Sequence, residues 1–343
     1  MKLLEINNLT TEFTTPQGQV QAVRDVSYSL DRGEIFGIVG ESGSGKSVGM
    51  LSLMGLLAAN GRVVEGEILF NGEDISPVSQ KYHGDKKAYE KKMETIRGNE
   101  IGMVFQDPMT FLNPILRIET QMTEGLIRHR GCSHKEARER AIELMRRVGI
   151  PSPEKRIQQY PFEFSGGMRQ RIIIAAALAC SPSLIIADEP TTALDVTVQA
   201  QILDLLKEIA EQMGTAIIMI THDLGVVANI CKRVSIMYAG KIVEEGTVND
   251  IFYDPKHPYT KGLLASVGTH EASGRQSLKP IPGTPPDLLK LNQGCAFMPR
   301  CPEAMNICRD YMPVKTSFGG IHCCSCWKYC RDQAEKVVEG AQR

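Results

Sequence analysis

The segment Gly40–Ser47 restricts the possible folds of this chain more than any other feature of its sequence. It fits the pattern G-x-x-x-x-G-K-[ST], and it lies between the apolar run Ile35–Val39 and a stretch without helix breakers. A strand, a glycine-rich loop and a helix in this order turn backbone N–H groups inward around a phosphate. We therefore predict a nucleotide-binding loop, in which Lys46 reaches the β- and γ-phosphates and the Ser47 hydroxyl binds Mg²⁺. The predicted nucleotide contacts in this loop are Gly40, Ser42, Gly43, Ser44, Gly45, Lys46 and Ser47.

Short apolar runs alternate with helical patterns through the first 250 residues. The predicted strands are Leu3–Asn7, Glu34–Val39, Ile101–Phe105, Leu184–Asp188, Ala216–Ile220 and Val234–Tyr238. The predicted helices are Lys46–Leu57, His134–Val148, Gly166–Ala179, Thr197–Met213 and Leu224–Lys232. Several strands are apolar throughout, which is typical of a parallel sheet covered on both faces. The pattern predicts an α/β fold, with the charged segment Gly72–Glu100 as a solvated helix and loop.

Composition excludes several classes of protein. The chain has 343 residues, of which 42% are hydrophobic and 23% are charged, and these values are ordinary for a soluble globular protein. Its net charge of -1 gives no electrostatic basis for coating a nucleic acid or for a polybasic membrane anchor. The apolar run Ile172–Cys180 is much shorter than the roughly 20 residues of a membrane span. With no secretory signal in Met1–Glu5, we expect a cytosolic protein.

A pair of carboxylates follows another apolar strand. Asp188 is the last residue of the run Leu184–Asp188, and Glu189 follows it directly. Ligands of open α/β sheets collect at this end of a strand. We expect Asp188 to hold Mg²⁺, directly or through water. We expect Glu189 to direct a water molecule at the γ-phosphate.

Three further polar features occupy similar positions. Ser165-Gly166-Gly167 begins a helix with a hydroxyl and two glycines, which makes a second N-terminus suited to an anion. One γ-phosphate does not need two such sites, unless the second serves the nucleotide of another subunit. Gln106 and His222 each follow a predicted apolar strand. Either residue alone is more typical of an ordinary structural contact, but their joint order with the other motifs favours a functional role.

The complete order of these motifs resembles the ATP-binding cassette family: Gly40–Ser47, Gln106, Ser165–Gly167, Asp188-Glu189, Asp195 and His222. The resemblance implies a head-to-tail dimer with two ATP molecules, each held between the P-loop (Gly40–Ser47) of one protomer and the signature segment (Ser165–Gly167) of the other. It also implies that Gln106 binds Mg²⁺ and senses the attacking water. His222 then contacts the γ-phosphate, and Asp195 acts across the dimer. The family stacks adenine on an aromatic residue, for which Phe13 is the candidate, although a core or surface role suits Phe13 nearly as well.

Three segments are similar to the ATPase subunits of oligopeptide and dipeptide importers: Gln106–Pro114, Ser165–Arg171 and His257–Thr260. The resemblance implies ATP hydrolysis that drives peptide import by a membrane transporter, with this chain on the cytoplasmic face of the membrane as a peripheral subunit. The implied partners are a second ATPase subunit, two transmembrane permease subunits and, indirectly, an extracytoplasmic peptide-binding protein. The resemblance to this subfamily implies that the second ATPase subunit is a paralogue. Phe111 departs from the family, which usually has a small polar residue there.

Other functions remain open at this point. A soluble cassette ATPase acting on DNA or ribosomes would be expected to show a coiled-coil insertion, two cassettes or basic tails. Import of nickel or a glycoside is a further alternative. An iron–sulfur regulator that only binds ATP is disfavoured, because Asp188 and Glu189 are both present. The resemblance implies an ABC ATPase domain over residues 1–256, a helical subdomain at about 107–180, and a C-terminal extension over 257–343.

Cysteines are concentrated near the C-terminus, after a proline-rich stretch that predicts a linker and a small appended module. Seven of the ten lie between 295 and 330: Cys295, Cys301, Cys308, Cys323, Cys324, Cys326 and Cys330. In a cytosolic protein such clustering favours metal ligation, and four thiolates suit zinc or an iron–sulfur cluster. The resemblance implies a [4Fe–4S] cluster on Cys295, Cys301, Cys308 and a later cysteine, with Cys326 preferred to Cys324. Zinc and unligated thiols are the alternatives.

Overall fold

The computed structural model describes residues 2–105, 111–192, 194–267 and 280–330. Contacts between residues divide the chain into two compact units. The first unit contains the residues up to Leu4, then Ser29–Phe36 and Phe70–Ile220. The second unit contains Glu5–Tyr28, Gly37–Leu69 and the described residues from Thr221 onward.

The described residues contain both strands and helices in alternation. The strands are β1 Lys2–Thr15, β2 Gly18–Asp31, β3 Ile35–Val39, β4 Gly61–Phe70, β5 Glu73–Asp74, β6 Ile101–Val104, β7 Leu184–Asp188, β8 Ala216–Thr221, β9 Arg233–Tyr238, β10 Lys241–Thr247, β11 Lys315–Ser317 and β12 Cys323–Ser325. The α-helices are α1 Lys46–Met54, α2 Lys86–Ile96, α3 Ile118–Arg130, α4 His134–Arg147, α5 Pro153–Arg156, α6 Gly166–Ala177, α7 Val196–Met213, α8 Leu224–Ile230, α9 Val248–Tyr253, α10 Pro258–Val267 and α11 Ile307–Asp310. Short 3₁₀ turns occupy Pro161–Glu163 and Met298–Arg300.

The first unit contains a parallel sheet in the order β6-β7-β8. Every residue of these three strands is buried, which is what their continuous apolar sequences predicted. Helices α3, α4 and α6 pack against one another in the same unit. Helix α4 begins with a capping box in which the Ser133 hydroxyl accepts from the Glu136 N–H and the Glu136 carboxylate accepts from the Ser133 N–H.

The second unit contains two sheets. Strands β2, β1 and β4 are neighbours in one sheet, and the order in the other is β11-β12-β10-β9, with antiparallel pairing. Described residues between 295 and 330 pack in this unit around a small core of Cys308, Trp327 and Cys330. The indole N–H of Trp327 donates to the Tyr311 carbonyl at 2.8 Å, so its buried polar atom has a partner.

The α/β class is confirmed, and all six predicted strands are present, but the sequence did not predict several others. The missed strands include β2 and β4, whose polar and apolar residues alternate because one face is more exposed than the other, and β10, in which the charged residues Glu244 and Glu245 are buried. Four of the five predicted helices ran too long, whereas Thr197–Met213 ends where α7 ends. Helix α1 ends at Met54 because Gly55 adopts φ 60, a left-handed C-terminal cap. No helix within the described ranges is both long and apolar enough to cross a membrane.

Candidate functional site

The P-loop connects β3 to α1 and encloses its own lysine. Lys46 is only 6% exposed, and its ammonium donates to the carbonyl oxygens of Gly40 at 2.7 Å and Glu41 at 2.9 Å. Gly45 precedes α1 with φ 101, and a β-carbon there would lie 2.3 Å from the Ala22 carbonyl oxygen. Only glycine fits this turn.

The beginning of α1 has the properties of an anion site. Gly45 has no side chain with which to cap the helix, so the positive end of the helix dipole faces the loop without a competing side-chain acceptor. The far side of the loop is held by a backbone hydrogen bond of 2.8 Å from the Gly240 N–H to the Ser44 carbonyl. The loop is therefore shaped for a phosphate, with a buried cation beside it.

The two predicted carboxylates lie at the end of β7 in the first unit. Asp188 is buried as the last residue of the strand. Glu189 has φ 46, an unusual conformation for a residue other than glycine. Two hydrogen bonds hold it there: its N–H donates to the Ile220 carbonyl at 2.8 Å, and the Thr192 hydroxyl donates to its carboxylate at 2.9 Å. The backbone thus aims the Glu189 side chain in a fixed direction.

The signature segment begins α6 in the same unit. Ser165 is the N-cap, and its hydroxyl accepts from the Met168 N–H at 3.4 Å. A β-carbon at Gly166 would meet no heavy atom of the described residues within 4 Å, whereas one at Gly167 would lie 2.9 Å from a methyl group of Val198. Ser165 and Gly166 are exposed, so the segment presents an open helix N-terminus.

The other predicted site residues have varied surroundings. Asp195 is exposed and caps α7 by accepting from the Val198 N–H at 2.9 Å. His222 is exposed after β8. The Phe13 ring is half-buried and lies against the backbone of Gly61, where an added β-carbon would be 2.6 Å from it. Gln106 lies outside the described residues.

The four cysteines predicted to bind a cluster share one pocket. Cys295, Cys301, Cys308 and Cys326 all line it, whereas Cys324 does not. Burial raises the pKa of Cys295 to about 12 and that of Cys326 to about 11, and the neighbouring cysteines contribute in the same direction. Burial therefore favours the neutral thiols over the thiolates that bind metals.

The predicted iron–sulfur module is nevertheless not supported by the structure. Nowhere in the described ranges do three or more His, Cys, Asp or Glu side chains form a group that could hold a metal ion. The four cysteines that the resemblance implied as ligands line one pocket. The sequence did not indicate that burial would favour the protonated form of these thiols.

Two residues that contact the P-loop at Glu41 were not predicted from the sequence. The Glu41 carboxylate accepts two hydrogen bonds from the Arg300 guanidinium, at 2.7 and 3.0 Å. The Glu41 N–H donates to the Tyr259 hydroxyl at 2.9 Å. Tyr259 belongs to the segment His257–Thr260 and Arg300 precedes Cys301, so both were close to recognised features, but neither neighbour indicated a contact with the P-loop.

The site consists of the buried strand β3, a glycine-rich loop that encloses Lys46, and helix α1, which follows Gly45. This combination defines a P-loop nucleotide-binding protein. Comparisons with known proteins agree with this class. A model of the family "ABC transporter" matches residues 23–192, and one described as "Oligopeptide/dipeptide transporter, C-terminal region" matches residues 243–308.

Close relatives cover nearly the whole chain. The chain is 54% identical to the oligopeptide transport ATP-binding protein OppD of Bacillus subtilis, over 95% of this chain and 88% of the relative. It is 51% identical to the dipeptide transport ATP-binding protein DppD of the same organism, over 99% and 98% of the two chains. Among solved structures, the bacterial ABC transporter cassette MJ0796, which is dimeric, is 29% identical with a TM-score of 0.61, over 71% of this chain and 98% of that one. The chain belongs to the ABC transporter family, in the group of oligopeptide and dipeptide transport ATP-binding proteins.

Proposed function

We propose that this chain is the ATP-hydrolysing subunit of an importer for dipeptides or oligopeptides, and that it drives transport through separate membrane subunits. The observation that carries the proposal is the P-loop, in which a buried Lys46 lies beside the uncapped beginning of α1. The assignment to peptide import is supported by the names of the relatives and by the match of the C-terminal region. Nickel, glycosides and soluble targets have no comparable support.

The P-loop binds the triphosphate of ATP. We propose that the Lys46 ammonium exchanges its two loop carbonyls for oxygens of the β- and γ-phosphates, while the first N–H groups of α1 donate to the same phosphates. Phosphate oxygens carry more charge than carbonyl oxygens, so the exchange is favourable. Ser47, Asp188 and Gln106 are the proposed ligands of Mg²⁺, which neutralises phosphate charge when it is bound.

Glu189 is the proposed catalytic base. It accepts a proton from the attacking water as the oxygen of that water bonds to the γ-phosphorus and the bond from this phosphorus to ADP breaks. His222 is proposed to donate to the γ-phosphate and stabilise its developing charge. The fixed backbone of Glu189 supports this role, because a base must be held in position before it can contribute roughly 10²–10⁴-fold to the rate.

The signature segment is proposed to act on the nucleotide of a second ATPase subunit, with Asp195 contacting the same partner. The exposure of Ser165 and Gly166 supports this proposal, and so does the dimeric state of the related cassette MJ0796. The second subunit is proposed to be a paralogue, and the complete transporter to contain two transmembrane permeases that receive peptide from an extracytoplasmic binding protein. The chain then lies at the cytoplasmic face of the membrane. Phe13 is proposed to stack on adenine.

Replacing Glu189 with Gln tests the function directly. In the transporter reconstituted with its permeases and binding protein, Glu189→Gln should lower ATP hydrolysis and peptide uptake together by roughly 10²–10⁴-fold, while ATP binding persists. Asp204→Asn, a change of the same kind at an exposed position of α7, is the matched control and should leave both rates unchanged. Normal phosphate release by the Glu189 variant would show that another group activates the water.

We further propose that Cys295, Cys301, Cys308 and Cys326 hold a [4Fe–4S] cluster, which would cross-link the C-terminal segments when bound. Their common pocket supports the proposal, and cluster assembly would take a proton from each of the four thiols. Protein purified without oxygen should contain iron and acid-labile sulfide that Cys301→Ser removes and Cys132→Ser, outside the pocket, does not. Zinc without iron or sulfide would exclude the cluster.

A further inference from the structure

We propose that Arg300 and Tyr259, two residues of the C-terminal region, are positioning residues for ATP binding, because they hold the P-loop through Glu41. The C-terminal region is then part of the nucleotide site as well as an appendage to it. The inference rests on the proposed binding of ATP at the P-loop and adds to it the groups that keep the loop in shape.

The contact between Arg300 and Glu41 is a shielded, two-pronged ion pair. Two guanidinium nitrogens of Arg300 donate to the two carboxylate oxygens of Glu41, at 2.7 and 3.0 Å. The side chain of Arg300 is 6% exposed and that of Glu41 is 24% exposed. Such parallel charge-assisted bonds fix orientation as well as distance, and water screens them less than a surface pair. Glu41 is therefore tied to a residue 259 positions away in the sequence.

Arg300 is itself immobilised by its surroundings. Its Nε donates to the Pro282 carbonyl at 2.9 Å, and its guanidinium lies 5.9 Å from the ring centre of Tyr238 and 6.0 Å from that of Phe297. The 3₁₀ turn that carries it is closed by hydrogen bonds from the Arg300 N–H to the Phe297 carbonyl at 3.0 Å and from the Cys301 N–H to the Met298 carbonyl at 3.2 Å. Arg300 thus holds Glu41 from a fixed point.

Tyr259 restrains the backbone of the same P-loop residue. Its hydroxyl accepts the Glu41 N–H at 2.9 Å, and its ring is fully buried between those of Tyr238 and Phe297. With its N–H and its carboxylate both bound, Glu41 has one orientation.

That orientation also fixes the carbonyl oxygen of Glu41, which accepts from the Lys46 ammonium at 2.9 Å. The contacts therefore form a continuous sequence from Arg300 and Tyr259 through Glu41 to the lysine that binds phosphate. Without these contacts, ATP binding would also have to order the P-loop. The free energy spent on this ordering would weaken ATP binding.

Substitution of Arg300 in the full-length chain tests the proposal. Arg300→Met should raise the dissociation constant of a fluorescent ATP analogue and the KM for ATP by about 10-fold, and leave kcat at saturating ATP within about 2-fold. Arg300→Lys should give an intermediate value, because it keeps the charge but loses the two-pronged geometry. Arg309→Met, the same change at an exposed position of α11, is the matched control and should bind like wild type.

Two further changes, one in the P-loop and one in the C-terminal region, separate positioning from folding. Glu41→Gln leaves the C-terminal region intact and should weaken ATP binding. The double variant with Arg300→Met should bind ATP no more weakly than the single variant with the lower ATP affinity. Tyr259→Phe removes one hydroxyl and should raise the dissociation constant by about 3-fold.

Unchanged ATP affinity in folded Arg300→Met, or in Glu41→Gln if Arg300→Met does not fold, would overturn the inference, as would fully additive losses in the double variant. Failure of the wild-type chain to bind ATP would instead refute the proposed function.

Discussion

The P-loop and the signature segment both place a helix N-terminus where an anion could bind, but only the P-loop also supplies a buried cation. Each places glycines at the N-terminus of a helix, where backbone N–H groups and the helix dipole attract an anion. The P-loop encloses its own cation, since Lys46 is buried among loop carbonyls. The signature segment is exposed, its only side-chain cap is the Ser165 hydroxyl, and Gly166 meets no described atom within 4 Å of an added β-carbon.

This difference shows how one kind of helix terminus can serve two tasks. A site with its own cation and a shaped loop can bind ATP in the isolated chain. A helix N-terminus without a neighbouring cation contributes much less affinity by itself. It can add to the binding of a phosphate that another molecule already holds. The P-loop also depends on remote residues, because Arg300 and Tyr259 contact Glu41. Substitutions can therefore disturb one region while leaving the other intact.

Removal of the P-loop cation should have the largest effect. In the proposed binding mode, Lys46→Ala deletes charge-assisted bonds to two phosphates, each worth about 1.5–3 kcal/mol, so ATP affinity should fall by at least about 100-fold. Equilibrium binding of ATP to the isolated chain measures this change. Lys207→Ala, at an exposed position of α7, is the control and should bind normally. Wild-type affinity in Lys46→Ala would mean that the P-loop is not the nucleotide site.

A negative charge in the signature segment should have the next largest effect. Gly166→Asp has space for the side chain and places a carboxylate where it stabilises the start of α6, so the fold should be unharmed. The same carboxylate repels a phosphate approaching from a second subunit. ATP hydrolysis by the assembled transporter should therefore fall by about 100-fold while ATP affinity of the isolated chain stays within about 2-fold.

Gly166→Ala is the uncharged control for this variant, and it should hydrolyse ATP at nearly the wild-type rate. Equal rates for the Asp and Ala variants would contradict a role for the signature segment beside phosphate. Reduced ATP affinity in the isolated Asp variant would mean that the two regions are not independent.

The parts of the site that follow local rules could be predicted from the sequence. The P-loop needs only a strand, a spaced set of glycines and a helix, and Asp188 needs only an apolar strand before it, so neighbours in sequence carry the information. The contact of Glu41 with Arg300 joins residues 259 positions apart, and no periodicity or spacing reports such a pair. The left-handed backbone of Glu189 was equally invisible, because it depends on the hydrogen bond to Ile220.

The cysteines show the limit of spacing as a guide to chemistry. The four cysteines that the resemblance implied as ligands line one pocket, but metal binding also depends on the loss of thiol protons, which burial disfavours. Alternating strands such as β2 and β4 were missed for a related reason, since half of their residues face outward and interrupt the apolar signal. Both metal binding by the cysteines and strand formation by β2 and β4 therefore depend on surroundings that the sequence pattern does not show.

Acid should produce the smallest effect, and it should affect the P-loop before the signature segment. His257 is buried in the second unit, its Nδ1 accepts from the Tyr259 N–H at 3.1 Å, and burial lowers its pKa to about 3. In the unfolded chain this histidine has an ordinary pKa near 6.5 and binds the proton more readily. The contribution of neutral His257 to the free energy of unfolding is therefore fully present above about pH 6.5, and it is lost as the pH falls toward 3.

Between pH 7 and pH 5 this single group should cost about 2 kcal/mol of stability, which His257→Asn should largely remove because an amide oxygen does not titrate. Amide hydrogen exchange locates the loss. Because Tyr259 also binds Glu41, protection of the P-loop amides should decrease at pH 5 in wild type but not in the variant, while α6 keeps its protection in both. Parallel losses in the P-loop and α6 would mean that acid acts elsewhere, and that the remote support of the P-loop does not distinguish it from the signature segment.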